Sequence, residues 1–259
     1  MFPTPESWTA WRRERTETLS QPHGWLSLTS LTWLSNAPTT LPNFPGQWRV
    51  EGTGPHTVTA LFDKADQVHD ADGAVSTSYV ITLSPGSSTM DLTWGESRAE
   101  VAQRGDGVIV RIRDPRAPRL STFSGVPCWD FDSSWVCSAI TTWEDATPVE
   151  VSSAQPGLRS RLMRVGSTAV ALPNGSTATL MVTGERDDAS VIFHDLTNGV
   201  DTPDWRVAPI IEADSRTWVD FTRSTVFPAH FSPFGTCPMP PAGNCVDMRV
   251  EAGEKTPLP

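Results

Sequence analysis

The chain has 259 residues, of which 38% are hydrophobic and 19% charged, a composition that excludes an intrinsically disordered protein. Its formal net charge of −10 repels phosphate backbones and anionic lipids, so neither nucleic acid nor a membrane is an expected partner. No apolar run approaches the roughly 20 residues that span a bilayer. The first seven residues contain no basic and apolar signal region, so this acidic sequence predicts a soluble cytoplasmic protein.

The first predicted element is an amphipathic helix. Thr4 is a good N-cap residue, and Trp8, Trp11 and Leu19 fall on one face of the helix that follows. The segment 21–24, QPHG, contains the proline and glycine that end helices. We expect this helix to lie against a sheet and to cover one end of it.

Most of the remaining chain is predicted to consist of short strands joined by turns. Residues 25–34, WLSLTSLTWL, alternate apolar and polar side chains with the period of two that a half-buried strand shows. Asx-Gly pairs, which suit two-residue hairpin turns, stand at 72–73, 106–107, 174–175 and 198–199. Further apolar runs predict strands at residues 78–83, 90–94, 108–113, 134–140, 148–152, 159–165, 168–172, 178–183, 191–194, 206–211 and 217–221.

This order of elements predicts the fold class. Strands and helices do not alternate, so a parallel Rossmann-type sheet is not expected. The density of short strands predicts an all-β fold, mainly an antiparallel barrel or sandwich, with an N-terminal α-helix. The chain length suits a single β-rich domain covering residues 1–259, and the loop-like segment 143–157 is where two β subdomains would meet.

Four cysteines stand at positions 128, 137, 237 and 245, without the spacing of a zinc or redox motif. In a cytosolic protein they are expected to be reduced and mostly buried. A disulfide between cysteines close in sequence is an open alternative, and so is metal ligation by His230 with Cys237 and Cys245. We predict no metal site.

Two arginines mark one strand as a candidate ligand site. Arg111 and Arg113 are two residues apart and therefore project from the same face of the predicted strand 108–113. Two guanidinium groups on one face repel each other unless an anion lies between them. Together with Arg104 they form an anion clamp if this face lines a cavity, or an ordinary polar face if it is solvated.

The C-terminal region is predicted to contain a long ordered loop, because residues 228–243 are rich in proline and glycine. Three prolines within residues 238–241 make part of it stiff, as in a lid over a pocket or a structural strap. Asn244 follows this loop and is expected to bind either backbone groups or a ligand.

Several motifs, taken in order, resemble a known prokaryotic family. They are GWLSLTSLTWL at 24–34, RDP at 113–115 with TFSG at 122–125, CPMPPAGN at 237–244 and AGEK at 252–255. Their combination is similar to the family called domain of unknown function 1684. In this resemblance, residues 195–199 match a D-x-T-x-G turn of the family.

The sequence departs from the family pattern at several positions. Thr202-Pro203 stands where the family has Thr-Tyr, Thr222 replaces an asparagine that follows Asp220-Phe221, and Ala229 replaces a cysteine. The family implies no established activity, substrate or cofactor, so three function hypotheses stay open.

The first hypothesis is an enzyme acting on a small anionic metabolite, with acid–base groups drawn from His194, Asp195, Asp220, His230 and Glu254. Its ligand contacts would come from Arg104, Arg111, Arg113, Thr202 and Asn244. The second is a non-catalytic β-barrel that holds an apolar or aromatic ligand in a cavity lined by some of the 11 tryptophans. The third is a structural or interaction protein that forms an oligomer such as a homodimer. No cofactor is implied by any of them.

Overall fold

The N-terminal helix predicted from the capping pattern is present. In the computed structural model, which describes residues 2–213 and 216–258, α1 spans Pro5–Leu19. The backbone N–H of Ser7 donates to the Thr4 hydroxyl at 3.2 Å, as expected for an N-cap. The indole of Trp8 donates to the carbonyl of Thr222 at 2.9 Å, which ties the helix to the C-terminal half of the chain.

The chain forms two compact units. The larger unit comprises Met1–Glu17, Ser124–Phe231 and Gly235–Pro259, and the smaller unit comprises Thr18–Phe123 and Ser232–Phe234. Both consist mainly of antiparallel strands, so the predicted all-β class with an N-terminal helix is confirmed. Within the described residues, no helix is long and apolar enough to cross a membrane.

The smaller unit contains eight of the described strands and a short helix, α2 (Pro118–Thr122). The strands are β1 (Leu28–Trp33), β2 (Thr39–Leu41), β3 (Phe44–Glu51), β4 (His56–Leu61), β5 (Ser78–Leu83), β6 (Ser88–Trp94), β7 (Ser97–Arg104) and β8 (Gly107–Arg113). They form two four-stranded sheets, in the orders β1-β8-β7-β6 and β2-β3-β4-β5. Apolar side chains of both sheets share one core, which contains Trp48, Val58, Leu92, Val101 and Ile112, as in a sandwich.

Several of these strands were not predicted. Strands β2, β3 and β4 lie in a segment whose prolines and glycines favour loops, and β7 carries polar side chains that hide its alternation. The predicted strand 25–34 begins only at Leu28, because residues 25–27 form a 3₁₀ turn. The β7–β8 hairpin turns at Gly105 and Asp106, one residue earlier than the predicted Asp106-Gly107 pair, because Arg104 pairs with Gly107.

The larger unit contains the remaining strands. They are β9 (Val136–Ser152), β10 (Arg159–Ala171), β11 (Thr177–Glu185), β12 (Asp188–Asp195), β13 (Arg206–Ala213), β14 (Arg216–Asp220), β15 (Thr225–Val226) and β16 (Cys245–Val246). Their order is β15-β13-β14-β9-β10-β11-β12-β16, and β13 also pairs with β12. The core of this unit contains Val165, Leu180, Phe193, Val219 and Phe221.

The segment 143–157 is not the loop that the sequence predicts. Residues 136–152 form the single long strand β9, and Trp143 and residues 147–152 pair with β10 within the larger unit. The two strands predicted at 159–165 and 168–172 are likewise one strand, β10, with a β-bulge between Arg164 and Gly166. Proline and glycine interrupt the sequence pattern of these strands without ending them. The single-domain organisation of the chain stays a prediction.

Candidate ligand-binding site

The predicted arginine strand is β8, in which Arg111 and Arg113 do project from the same face. Both are buried, and both bind the carboxylate of Glu100 on β7, which lies directly opposite Arg111 in the ladder. Arg113 Nε donates to Glu100 at 2.9 Å. The ring of Trp25 covers both guanidinium groups, at 5.2 and 4.9 Å from the ring centroid. The anion between the two arginines is therefore a carboxylate of the chain itself.

Burial of Glu100 works to raise its pKa, but the charges and hydrogen bonds of Arg111 and Arg113 outweigh burial and hold the pKa below its usual value. Arg104 lies farther out, with its guanidinium 3.9 Å from Glu100 and hydrogen bonds to the carbonyls of Gly86 and Ser87. The three predicted ligand-binding arginines thus cluster in the smaller unit around one acid. All other predicted site residues belong to the larger unit.

Asp195 lies in a buried polar network with Arg206. The Arg206 guanidinium donates to Asp195 Oδ2 at 2.8 Å and to the carbonyl of Val250 at 2.9 Å. The other Asp195 oxygen accepts from the backbone N–H of Thr197 at 2.7 Å, and the hydroxyls of Thr197 and Thr202 are 2.8 Å apart. The D-x-T-x-G turn and Thr202 therefore build the binding site of an internal arginine. Sequence reasoning missed Arg206, although an arginine inside an apolar strand such as WRVAPII is a signal of a buried charge.

Glu254 anchors the N-terminal helix. Its side chain is buried and accepts from Arg15 Nε at 2.9 Å and from the backbone N–H of Val226 at 2.7 Å. A cavity of only about 10 Å³, the size of one water, lies beside it. Cys128 also lines this cavity, and burial raises the pKa of its thiol to about 11, so the thiol is protonated at neutral pH.

Asp220 and the two histidines are separate features. Asp220 caps the short 3₁₀ turn that follows β14, since it accepts from the backbone N–H of Thr222 at 3.0 Å. His194 Nδ1 lies 2.7 Å from the carbonyl of Asp204. His230 packs its ring edge-on against Trp205, with 4.6 Å between ring centroids, and its Nε2 has no hydrogen-bond partner among the described residues.

The side chain of Asn244 takes the place of backbone hydrogen bonds between strands β11 and β12. Its Oδ1 accepts from the N–H of Met181 on β11 at 2.7 Å, and its Nδ2 donates to the carbonyls of Met181 at 3.0 Å and Ile192 on β12 at 2.9 Å. Strands β11 and β12 pair directly only over Thr183–Glu185 and Asp188–Ser190. Of the two roles predicted for Asn244, its contacts are those of backbone binding, and it fixes the position of Ile192.

A cleft opens where β10 and β11 separate. Their ladder runs from Ala171–Thr177 to Arg164–Thr183 and ends at the bulge next to Gly166. Beyond that point β10 stays paired with β9 as a two-stranded arm, whereas β11 turns back into β12. A bulge bends the strand that carries it, which explains the divergence. The cleft therefore lies between the arm, residues 147–164, and the β11–β12 hairpin.

One groove of this cleft lies on the face of the sheet opposite to the core, and we call it the outer groove. Its floor includes Ser190, Ile192 and Val207, which alternate along their strands with the core residues Val191 and Ala208. The groove has a volume of about 620 Å³ and is lined by Arg161, Leu162, Met163, Thr183, Gly184, Glu185, Asp188, Ser190, Ile192, Val207, Phe227 and Pro238. Pro238 brings the predicted stiff loop to the groove wall, next to Ser153, with which it forms a β-bridge.

A second groove, which we call the inner groove, lies on the core side of the same cleft. It contains the core residue Val165 and Trp143, which packs against that core. Its volume is about 450 Å³, and it is lined by Trp143, Glu144, Asp145, Ala146, Met163, Val165, Gly184, Glu185 and Arg186. The two grooves share Met163, Gly184 and Glu185, so they meet at the cleft.

Sequence reasoning missed the charged residues of these grooves. The side chain of Arg161 is exposed and has neither an ion-pair nor a hydrogen-bond partner among residues 2–213 and 216–258, and the same holds for the side chains of Asp145 and Glu185. Arg159, Arg161 and the apolar residues between them were interpreted only as a strand. A signal was present, because charged side chains are the usual protection of an exposed strand edge.

The described part of the chain offers no group of three His, Cys, Asp or Glu side chains placed to hold a metal ion. The alternative set of His230, Cys237 and Cys245 is therefore wrong. All four cysteines lie in the described residues and none forms a disulfide. Cys137 and Cys237 are buried as expected, whereas Cys128 is half-buried and Cys245 is exposed.

Comparison with known proteins points to one family. No curated protein matches the chain significantly. An uncharacterized protein of Haloarcula marismortui, solved by solution NMR, is similar at 25% identity over 52% of this chain and 78% of its own, with a TM-score of 0.43. Residues 121–255, more than half of the chain and nearly all within the larger unit, match the family "Protein of unknown function (DUF1684)". The resemblance seen in the sequence motifs is thereby confirmed, and the chain belongs to that family.

Proposed function

We propose that the protein is a non-catalytic binding protein that takes a small amphipathic ligand with an anionic group in the outer groove. The observation that carries the proposal is Arg161, whose side chain has no ion-pair partner among the described residues, beside an apolar floor of Ile192, Val207 and Phe227. Glu185 and Asp188 line the same groove. A groove of about 620 Å³ matches the size of small-molecule sites, which combine apolar walls with a few polar groups.

The three predicted acidic residues are engaged by other groups of the chain, which supports binding over catalysis. Asp195 is held by Arg206, Glu254 by Arg15, and Asp220 by the turn that it caps. None of them lines the outer groove. A general base must lie within hydrogen-bond reach of the proton that it removes from a bound substrate.

The ligand chemistry follows from the lining of the groove. The guanidinium of Arg161 offers paired donors to a carboxylate, and the hydroxyls of Thr183 and Ser190 have no hydrogen-bond partner among the described residues. The floor favours an aliphatic or aromatic body of modest size. A ligand of this kind is the small-molecule partner that is expected from the sequence.

Replacing Arg161 with alanine tests this proposal. We expect a binding screen of short aliphatic and aryl-alkyl carboxylates, followed by calorimetry or tryptophan fluorescence, to find saturable binding. Arg161→Ala should raise the Kd about tenfold or more, since a hydrogen bond to a charged group contributes about 1.5–3 kcal/mol.

The matched control is Arg159→Ala, because Arg159 lies on the same strand but does not line the groove. It should leave the Kd unchanged, and uncharged amide analogues should bind both proteins alike. Absence of binding by every amphipathic carboxylate, or equal effects of the two substitutions, would contradict the proposal.

The remaining expectations belong to the same proposal. The net charge of −10 supports the expectation that neither nucleic acid nor a membrane is a partner, and we propose a cytoplasmic location alongside it. The strand pairings support a barrel for the larger unit, because β13 pairs with both β12 and β14 and the ladder thereby returns to its start. A homodimer is proposed only as an alternative, and light scattering measures the oligomeric state.

A further inference from the structure

We infer that the cleft binds an extended peptide, which adds as a strand along the open edge of β10 and places alternate side chains in the outer and inner grooves. This inference rests on the proposed binding function and specifies its ligand. The peptide carries apolar side chains on one face, basic side chains on the other, and a free terminal carboxylate.

The backbone of the β10 arm supplies the first argument. Met163 is paired with Pro148, which has no N–H, and Arg159 is paired with Ser152, whose carbonyl accepts from Met239 instead. These are therefore pairs without mutual hydrogen bonds. The two pair types alternate along an antiparallel ladder, so Arg161, two residues from each of them, is also in a pair without mutual hydrogen bonds. The N–H and C=O groups of Arg159, Arg161 and Met163 consequently point to the other edge of β10.

That other edge has no strand beside it. The β10–β11 ladder ends at the Arg164–Thr183 pair, next to Met163 and Gly184, and beyond it none of the described residues accepts from or donates to the backbone of Arg161 on this side. Arg161 and Met163 also line the outer groove. An incoming extended chain is the ligand that satisfies a row of free N–H and C=O groups, as in other complexes formed by strand addition.

The two grooves supply the second argument. They lie on opposite faces of the sheet and meet at Met163, Gly184 and Glu185, where the cleft closes and an added strand beside Arg161 would end. Successive side chains of a strand point to opposite faces, so one peptide fills both grooves in alternation. A compact small molecule would occupy one groove only.

The charges specify the side chains. The inner groove combines the ring of Trp143 with Asp145 and Glu185, two carboxylates without an ion-pair partner in the described chain. Long basic side chains suit it, because their stems pack on apolar surface while their charges reach the acids. The apolar floor of the outer groove takes aliphatic side chains, and Arg161 takes the terminal carboxylate.

The experiment uses the full-length protein and acetylated Val-Lys-Val-Lys-Val with a free carboxyl terminus. Fluorescence and calorimetry should show saturable binding. N-methylation of the alternate amides that face β10 should raise the Kd about tenfold or more, since it removes two hydrogen bonds and leaves the side chains in place. The isomer Lys-Lys-Val-Val-Val, which breaks the alternation, should bind more weakly by a similar factor.

Protein variants test the side-chain assignment. Asp145→Asn with Glu185→Gln should weaken the lysine peptide severalfold but not the same peptide with glutamine at both lysine positions. Arg161→Ala should weaken the free-carboxylate peptide but not its amide, and Arg159→Ala should change neither.

The outcomes separate the two proposals. If the N-methylated and parent peptides bind equally, or if small carboxylates bind and peptides do not, strand addition is overturned and the small-ligand function stands. If neither class binds, both proposals fail.

Discussion

Buried charged side chains in both units have partners of opposite charge within the same chain. Arg111 and Arg113 share Glu100, and Arg206 binds Asp195 together with three backbone carbonyls. Removing one partner of a buried pair leaves an uncompensated charge, which costs far more than the pair itself contributes. The arginine-rich strand and the D-x-T-x-G turn therefore have direct structural roles.

At this scale we predict the effect of Glu100→Gln. The free energy of unfolding of the smaller unit should fall by about 3–5 kcal/mol, because two buried guanidinium groups lose the carboxylate that they share. Urea denaturation measures the change. The control is Glu96→Gln, whose exposed pair with Arg116 at 3.7 Å should contribute less than about 1 kcal/mol. Equal effects of the two substitutions would show that burial of the pair does not matter.

At the scale of elements, one bulge creates the candidate site. The register shift at Arg164 and Gly166 appears in the ladders of β10 with both β9 and β11, and the cleft begins there. A Cβ atom on Gly166 would lie 2.3 Å from the carbonyl oxygen of Thr142, so only glycine allows this close approach.

We accordingly predict that Gly166→Ala lowers the free energy of unfolding of the larger unit by about 1–3 kcal/mol, the usual cost of forced overpacking. Ligand affinity at the cleft should fall with it, because the arm and the hairpin diverge at this residue. Urea denaturation and calorimetry provide the two measurements. Ser167→Ala, one residue along the same strand, should leave both unchanged, and a neutral result for Gly166→Ala would refute the role of the bulge.

At the scale of the whole molecule, a half-buried histidine and a buried glutamate make stability depend on pH in different ranges. Burial lowers the pKa of His230, against the opposing charge of Asp204 and a hydrogen bond to the Trp205 backbone. The unfolded state therefore binds a proton first, at about pH 6.5, and stability is lost as the pH falls below that value. The lowered pKa of Glu100 gives stability that is present above about pH 4.3 and lost as the pH falls through its folded pKa.

Urea denaturation at pH 7.5 and 5.5 tests the first of these steps. The wild-type protein should lose stability over this interval, and His230→Gln should lose less, since a neutral side chain has no proton to bind. The pH 7.5 values provide the internal control for packing, because the histidine is neutral there in both states. An identical pH dependence of the two proteins would be incompatible with the lowered pKa of His230.

Local sequence patterns determined the strand-rich class and the N-terminal helix. Helix α1 begins after its cap residue Thr4 and ends before residues 21–24, so the signals for both ends lie within a few residues of the helix. Alternation placed Arg111 and Arg113 on one face, because a strand repeats every two residues. The ordered motifs also identified the family, which the match over residues 121–255 confirms.

Only the tertiary structure decided what those residues meet. Glu100 lies opposite Arg111 because of the register between β7 and β8. Strand β7 was not predicted, because its polar side chains hide the alternation of a strand. The outer groove joins Arg161 to Phe227 and Pro238, which come from segments far apart in the chain. Period and propensity describe neighbours along the chain, whereas a binding site depends on which distant strands pair and where a bulge parts them.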